Sequence, residues 1–149
     1  METTTQVIED FLRAFEHTDN RREINALVSQ FADTFLVAGP DGSRAVKASD
    51  FALALPKRQE MFDRMGCRST KLATVAVTKL DDRYAMAEAN WLMTFAHGDG
   101  QASEVQVGST YIVDTKGGNS GAELKILFYL THQDIMTVLR EREILRSES

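Results

Sequence analysis

The stretch Phe31-Ala32-Asp33-Thr34-Phe35-Leu36-Val37-Ala38-Gly39-Pro40-Asp41-Gly42 decides the fold. Before it, apolar residues recur every three or four positions; within it, they alternate. Phe31, Asp33, Phe35 and Val37 fall on one side, and Ala32, Thr34 and Leu36 on the other, which is the period of a strand. Gly39-Pro40-Asp41-Gly42 then makes a turn, with two glycines and a proline that fixes φ. Ser43 to Lys47 returns as the second strand of a short hairpin.

Toward the N-terminus, Val7, Ile8, Phe11, Leu12 and Phe15 form the stripe of a helix. Thr3 with Gln6 makes a capping box at its start, and the polar His17-Thr18-Asp19-Asn20 closes it. Asn20 with Glu23 predicts a second box, opening a short helix with Ile24, Leu27 and Val28 on one face. Beyond the hairpin, Ser49 or Asp50 caps a third helix. Its apolar side carries Phe51, Leu55, Phe62 and Met65, and Gly66 stops it. Pro56 inside it predicts a kink or a restart. From Arg68 onward the pattern is β. Leu72 to Leu80, Tyr84 to His97, Val105 to Asp114 and Leu124 to Gln133 read as strands. Asp81-Asp82, Gly98-Asp99-Gly100 and Lys116 to Gly121 read as turns. Asp134 caps a closing helix with Ile135, Val138 and Leu139, and the charged tail 141–149 frays. Helices first and an antiparallel sheet second make an α+β fold, a single domain over 1–149.

Composition excludes several function classes. The chain has 149 residues, 43% hydrophobic and 26% charged, with 17 basic against 22 acidic side chains and a net charge of −5. That fits a globular domain and leaves no basic surplus for nucleic acid or anionic membrane. Cys67 is the only cysteine, so no intramolecular disulfide forms. Met1 to Thr5 lacks the features of a signal peptide, and no apolar run is longer than Ile126 to Leu130, far short of a membrane span. A cytoplasmic protein is expected. Three scattered histidines and one cysteine give no metal-ligand spacing, and no Walker loop, dinucleotide fingerprint, nucleophile elbow or His-Glu-x-x-His is present, so neither metal nor cofactor is expected.

The order of elements, the Phe-Ala-Asp entry into the first strand at Phe31, and the Gly-rich hairpin before Leu124 to Gln133 resemble the nuclear-transport-factor-2-like superfamily, including its polyketide-cyclase-like (SnoaL-like) and ketosteroid-isomerase-like members. The resemblance spans nearly the whole chain. It implies a cone: a strongly bent sheet wrapped around the long helices, a mainly apolar cavity within, and often a dimer through the sheet's outer face. It does not fix the chemistry, because function belongs to sites and not to folds. The steroid isomerases of that superfamily use an aspartate directly before a proline, a tyrosine on the first helix and a protonated aspartate on the third long strand. Here those positions hold Gly39, Phe11 or Phe15, and Ser109, so that activity is not expected. The paired histidines of the dehydratases find no match in His17, His97 and His132.

Strand parity turns three faces inward: Trp91, Met93 and Phe95; Val107, Ser109, Tyr111 and Val113; and Leu124, Ile126, Phe128, Leu130 and His132. Phe11, Phe15, Trp91, Met93, Phe95, Ser109 and Phe128 are therefore expected to line a pocket for a small apolar or aromatic molecule. Asp33, Tyr111 and His132 form a candidate acid–base set for an enzyme of the same fold, doing proton transfer, cyclisation or dehydration. Each also has a plain structural reading: a local turn contact for Asp33, a core aromatic for Tyr111, a strand-end residue for His132. The opposite face carries Glu88, Asn90, Leu92, Thr94, Thr110, Ile112, Leu127 and Tyr129. It is too apolar for a freely solvated sheet, and a homodimer would cover it. A partner-binding module with a filled core is the remaining alternative.

Overall fold

The computed structural model describes residues 4–20, 23–96, 100–116, 124–133, 137, 138 and 140. Among the described residues, three helices precede or interrupt the early strands: α1 (Thr4–Asn20), α2 (Ile24–Ser29) and α3 (Ala48–Arg64). Six strands follow in the order β1 (Phe31–Gly39), β2 (Gly42–Lys47), β3 (Cys67–Lys79), β4 (Tyr84–Ala96), β5 (Ala102–Asp114) and β6 (Lys125–Thr131). They form one curved, open sheet in the spatial order β2-β1-β6-β5-β4-β3.

The α+β arrangement is the expected one, with one correction. The sheet is mixed, because β1 runs parallel to β6 while every other pair is antiparallel. A parallel pair needs a long crossover connection, and the whole chain from β2 to β5 supplies it.

Local signals explain most boundaries. Ile8 and Leu12 on the α1 stripe are fully buried. The β1–β2 turn brings Gly39 opposite Gly42, whose φ of 133° suits only glycine. Helix α3 runs unbroken through Pro56 to Arg64 and is capped by Met65, with Gly66 at φ 89°. Its N-cap is Lys47, with no side-chain cap, so neither Ser49 nor Asp50 plays that part. The second capping box also fails to form. Glu23 is the N-cap of α2 and makes no side-chain cap, while Asn20 belongs to α1. Asn20 instead pairs with the edge of β3: its Nδ2 donates to the Thr70 carbonyl (2.8 Å) and its Oδ1 accepts from the Thr70 N–H (2.9 Å). Nearby, Glu16 Oε2 accepts from the Leu72 N–H at 2.7 Å, beside a β-bulge between Leu72 and Thr74. Edge groups that a seventh strand would satisfy are thus met by α1.

The core lies between the helices and the concave sheet face. On β4 the odd positions Ala85, Ala87, Ala89, Trp91, Met93 and Phe95 are all buried. The three alanines share one core cluster with Ile8 and Leu12 of α1, while Met93 and Phe95 join Phe62 and Val105 in a second. Small residues admit the helix at one end of the strand, and large ones fill the space at the other. Val138 packs on the second cluster, and the described residues 137, 138 and 140 are helical. The caps at Thr3 and Asp134, Ile135 and Leu139, the turn residues 97–99, the hairpin residues 117–121 and the tail 141–149 lie outside the described residues.

Strand β6 breaks the expected parity. Val113 pairs with Ile126 but Ile112 pairs with Phe128, so Leu127 is the extra residue of a β-bulge. Leu124 and Ile126 pack inward as expected. After the bulge the phase is reversed. Tyr129, opposite Tyr111, faces inward, and Phe128, Leu130 and His132 face outward with Ile112 and Thr110.

Candidate functional site

Helices α1 and α3 and the concave faces of β4, β5 and β6 enclose a cavity of about 120 Å³. Phe15 of α1 is the hub of its aromatic wall. Its ring centroid lies 5.9 Å from Phe31, 5.9 Å from Trp91 and 6.1 Å from Tyr111. Tyr111 in turn meets Tyr129 edge-to-face at 5.1 Å. These tilted contacts are the geometry that ring quadrupoles favour. Phe31, Phe51, Leu55, Arg58 and Tyr129 also line an adjoining cavity of about 580 Å³ that reaches β2.

The polar groups of the inner cavity are all neutral or cationic. Arg58, Gln59, Cys67, Thr70, Trp91, Ser109, Tyr111 and Tyr129 line it, and among the described residues no aspartate, glutamate or histidine does. Burial, first of all, pushes the Tyr111 phenol well above its usual range, with Tyr129 adding to the effect. Ser109, Trp91 and Arg58 pull the other way without reversing it. Tyr111 is therefore a protonated hydrogen-bond donor at neutral pH, not a base. The Trp91 Nε1 lies near enough to the Tyr111 oxygen to favour its ionised form, yet it makes no hydrogen bond. Gln59 Nε2 is likewise buried without a hydrogen-bond partner. The exposed Arg58 guanidinium stands 5.2 Å from the Phe62 ring centroid, a cation–π contact at the rim.

The residues expected at the site divide sharply. Phe15, Trp91, Met93, Ser109 and Tyr111 do line the cavity. Phe95 is fully buried in the second core cluster, and Phe11 packs half-buried on the first; neither lines it. Phe128 lies on the outer face because of the bulge. Asp33 is exposed on β1, where the pairing with β6 is irregular between Phe31 and Leu36. His132 is exposed on the outer face, with its Nε2 2.7 Å from the Thr110 hydroxyl. Its ring covers Gly108, where an added Cβ would come within 3.3 Å of the imidazole. Asp33, Tyr111 and His132 therefore do not converge.

Sequence reasoning passed over Arg58, Gln59 and Tyr129. A signal for Gln59 was present: with Leu55 and Phe62 it falls at i, i+4 and i+7, a polar residue inside an apolar helical stripe. Tyr129 was assigned to the wrong face because a bulge leaves no mark in the alternation. Arg58 reads as an ordinary surface arginine until Phe62 is placed beside it.

Among the described residues, no group of three or more His, Cys, Asp or Glu is placed to hold a metal ion, and no helix is long and apolar enough to cross a membrane.

Solved structures of the same architecture are numerous and distant in sequence. An NTF-2-like protein of unknown function from Shewanella oneidensis superposes with a TM-score of 0.69 at 15% identity, over 88% of this chain and 100% of that one. A ketosteroid-isomerase-like protein from Erwinia carotovora atroseptica gives 0.61 at 18% identity, over 85% and 92%. A structure from Catenulispora acidiphila in complex with S-DNPA gives 0.65 at 13%, over 88% and 93%. At such identities the likeness is one of fold. No curated protein matches the chain. The model of one family, described as NTF2-like protein (DUF6841), matches residues 2–134. With the curved sheet, the enclosing helices and the element order all in agreement, the chain belongs to that NTF2-like family.

Proposed function

We propose that the protein is a cytoplasmic small-molecule-binding protein that holds an aromatic ligand inside the cone. The observation that carries this reading is the enclosed space beside Phe15, Trp91, Tyr111 and Tyr129, walled by rings and reached from a larger adjoining cavity. Its scale fits: a dry apolar cavity of roughly 150 Å³ accepts benzene. The S-DNPA complex of the Catenulispora acidiphila protein supports the reading to the extent that one protein of this fold was solved with a small molecule. Proton abstraction gains no such support, since among the described residues the cavity lining holds no carboxylate or imidazole and Tyr111 keeps its proton. The position before Pro40 is Gly39, so the aspartate of the steroid isomerases has no counterpart there.

Trp91 is the only tryptophan, so its indole N–H gives a single cross-peak in a proton–nitrogen correlation spectrum. Titration with ethylbenzene is expected to move that cross-peak to a saturating limit. Phe15→Ala, which enlarges the cavity, should strengthen the effect. An indole cross-peak that stays still in both proteins would end the binding reading and leave the partner-binding module in its place.

A further inference from the structure

We infer that the ligand is an aromatic carboxylate, its ring among Phe15, Trp91 and Tyr111 and its acid group on Gln59, Trp91 and Arg58. The inference rests on the binding reading above and adds the chemistry of the ligand's polar end.

The first ground is a pair of unused donors. Gln59 is 8% exposed and Trp91 4% exposed, both line the inner cavity, and the Gln59 Nε2 and Trp91 Nε1 atoms have no hydrogen-bond partner. Buried N–H groups are almost always paired, and an exception needs an explanation. Two exceptions in the wall of one small cavity share one explanation: an acceptor enters with the ligand. The second ground is charge. Among the described residues Arg58 is the one charged residue lining the cavity, and no acidic side chain lines it to answer that charge. Arg58 also lines the two neighbouring cavities, which places it at their junction. Among the described residues it has no ion pair, and its guanidinium stands over the Phe62 ring. A guanidinium at the rim and amide and indole donors in the wall complement a planar anion with two acceptor oxygens. The third ground is the wall itself, whose rings suit an aromatic body and whose volume admits a single ring.

The test compares phenylacetate with ethylbenzene, which has the same ring and no acceptor, by calorimetric titration of the full chain at neutral pH. Phenylacetate is expected to bind at least about tenfold more tightly, the margin of a charged hydrogen bond in a buried site. In Gln59→Leu and in Arg58→Met the ratio of the two affinities should fall toward one. A thermal melt of Gln59→Leu at or above the wild-type temperature shows that the variant is folded, since it replaces an unpaired buried amide by an apolar side chain. Equal binding of both probes to the wild type would overturn the carboxylate and leave the cavity reading intact. An affinity ratio unchanged in both variants would do the same. Binding of neither probe would remove the cavity reading, and this inference with it.

Discussion

Gly66 shows how closely one residue can be specified. It sits at φ 89°, where side chains other than glycine are strained, and a Cβ there would lie 2.5 Å from the Ala96 carbonyl oxygen. Its own carbonyl accepts the Ala96 N–H at 2.8 Å, and its N–H donates to Asp63 at 3.0 Å. One residue thus ends α3, turns the chain and joins the first residues of β3 to the last of β4. Gly66→Ala is expected to lower stability by about 2 kcal/mol or more, the combined effect of a strained φ and a backbone overlap. Urea unfolding measures it. A loss within 0.5 kcal/mol on the scale of ordinary surface changes would mean that the turn relaxes freely.

At the scale of elements, the far end of β4 and β5 is clasped by charge. Arg83 donates from Nε to Asp114 Oδ1 and from Nη2 to Asp114 Oδ2, both at 2.9 Å. Asp114 Oδ1 also accepts the Lys116 N–H at 3.0 Å. The Arg83 hydrogen bonds, first of all, hold the Asp114 carboxyl below its usual range. The unfolded chain therefore takes up this proton at a higher pH than the native one. The clasp contributes fully above the unfolded pKa of about 3.9 and is lost as pH falls through the lower native value. Asp114→Asn is expected to weaken the fold at pH 7 and to flatten its decline below pH about 4, read from urea midpoints at several pH values. An acid slope identical to that of the wild type would show that Asp114 contributes nothing to it.

Elements were legible in proportion to how local their causes are. The α1 stripe, the Gly39–Gly42 turn, the Gly66 stop and the inward face from Trp91 to Phe95 follow from spacing and turn chemistry. The carboxylate of Asp81, which accepts the Arg83 and Tyr84 N–H groups at 2.8 Å each, is the turn that the Asp81-Asp82 pair foretold. The phase of β6 was not legible. An alternating run such as Ile126 to Thr131 looks the same with or without a bulge, and only the pairing with β5 decides. That one extra residue moved Phe128 and His132 out of the candidate site and Tyr129 into it. Asn20 was misread for a related reason: a capping side chain serves a helix or a strand edge equally well, and its partner Thr70 is remote in sequence.

Across the whole molecule, the bulge also redraws the outer face. Ile112, Phe128 and Leu130 make an apolar centre there, bordered by the Thr110–His132 and Thr74–Asn90 hydrogen bonds at 2.7 and 2.9 Å. An apolar patch with a polar rim is the composition of a protein interface. We propose that a second copy of the chain, related by a two-fold axis, covers it. Light scattering at micromolar concentration is expected to give twice the chain mass, reduced to the single mass in Leu130→Lys. A wild-type protein that is monomeric under those conditions would exclude the pairing.

The place of β6 has a consequence for how the molecule is made. It is the last of the six described strands to leave the ribosome, yet it lies at the centre of the sheet, between β1 and β5. Until it arrives, the β1–β2 hairpin has no edge to join, and β3, β4 and β5 form a separate meander. Phe31 must wait for Ile126, and Leu36 for Phe128. Contacts of such sequence separation slow folding, because a long loop must close before the pairing rewards it. The sheet is thus united only once β6 is available, and a nascent chain stopped short of Lys125 carries five strands with no sheet that unites them.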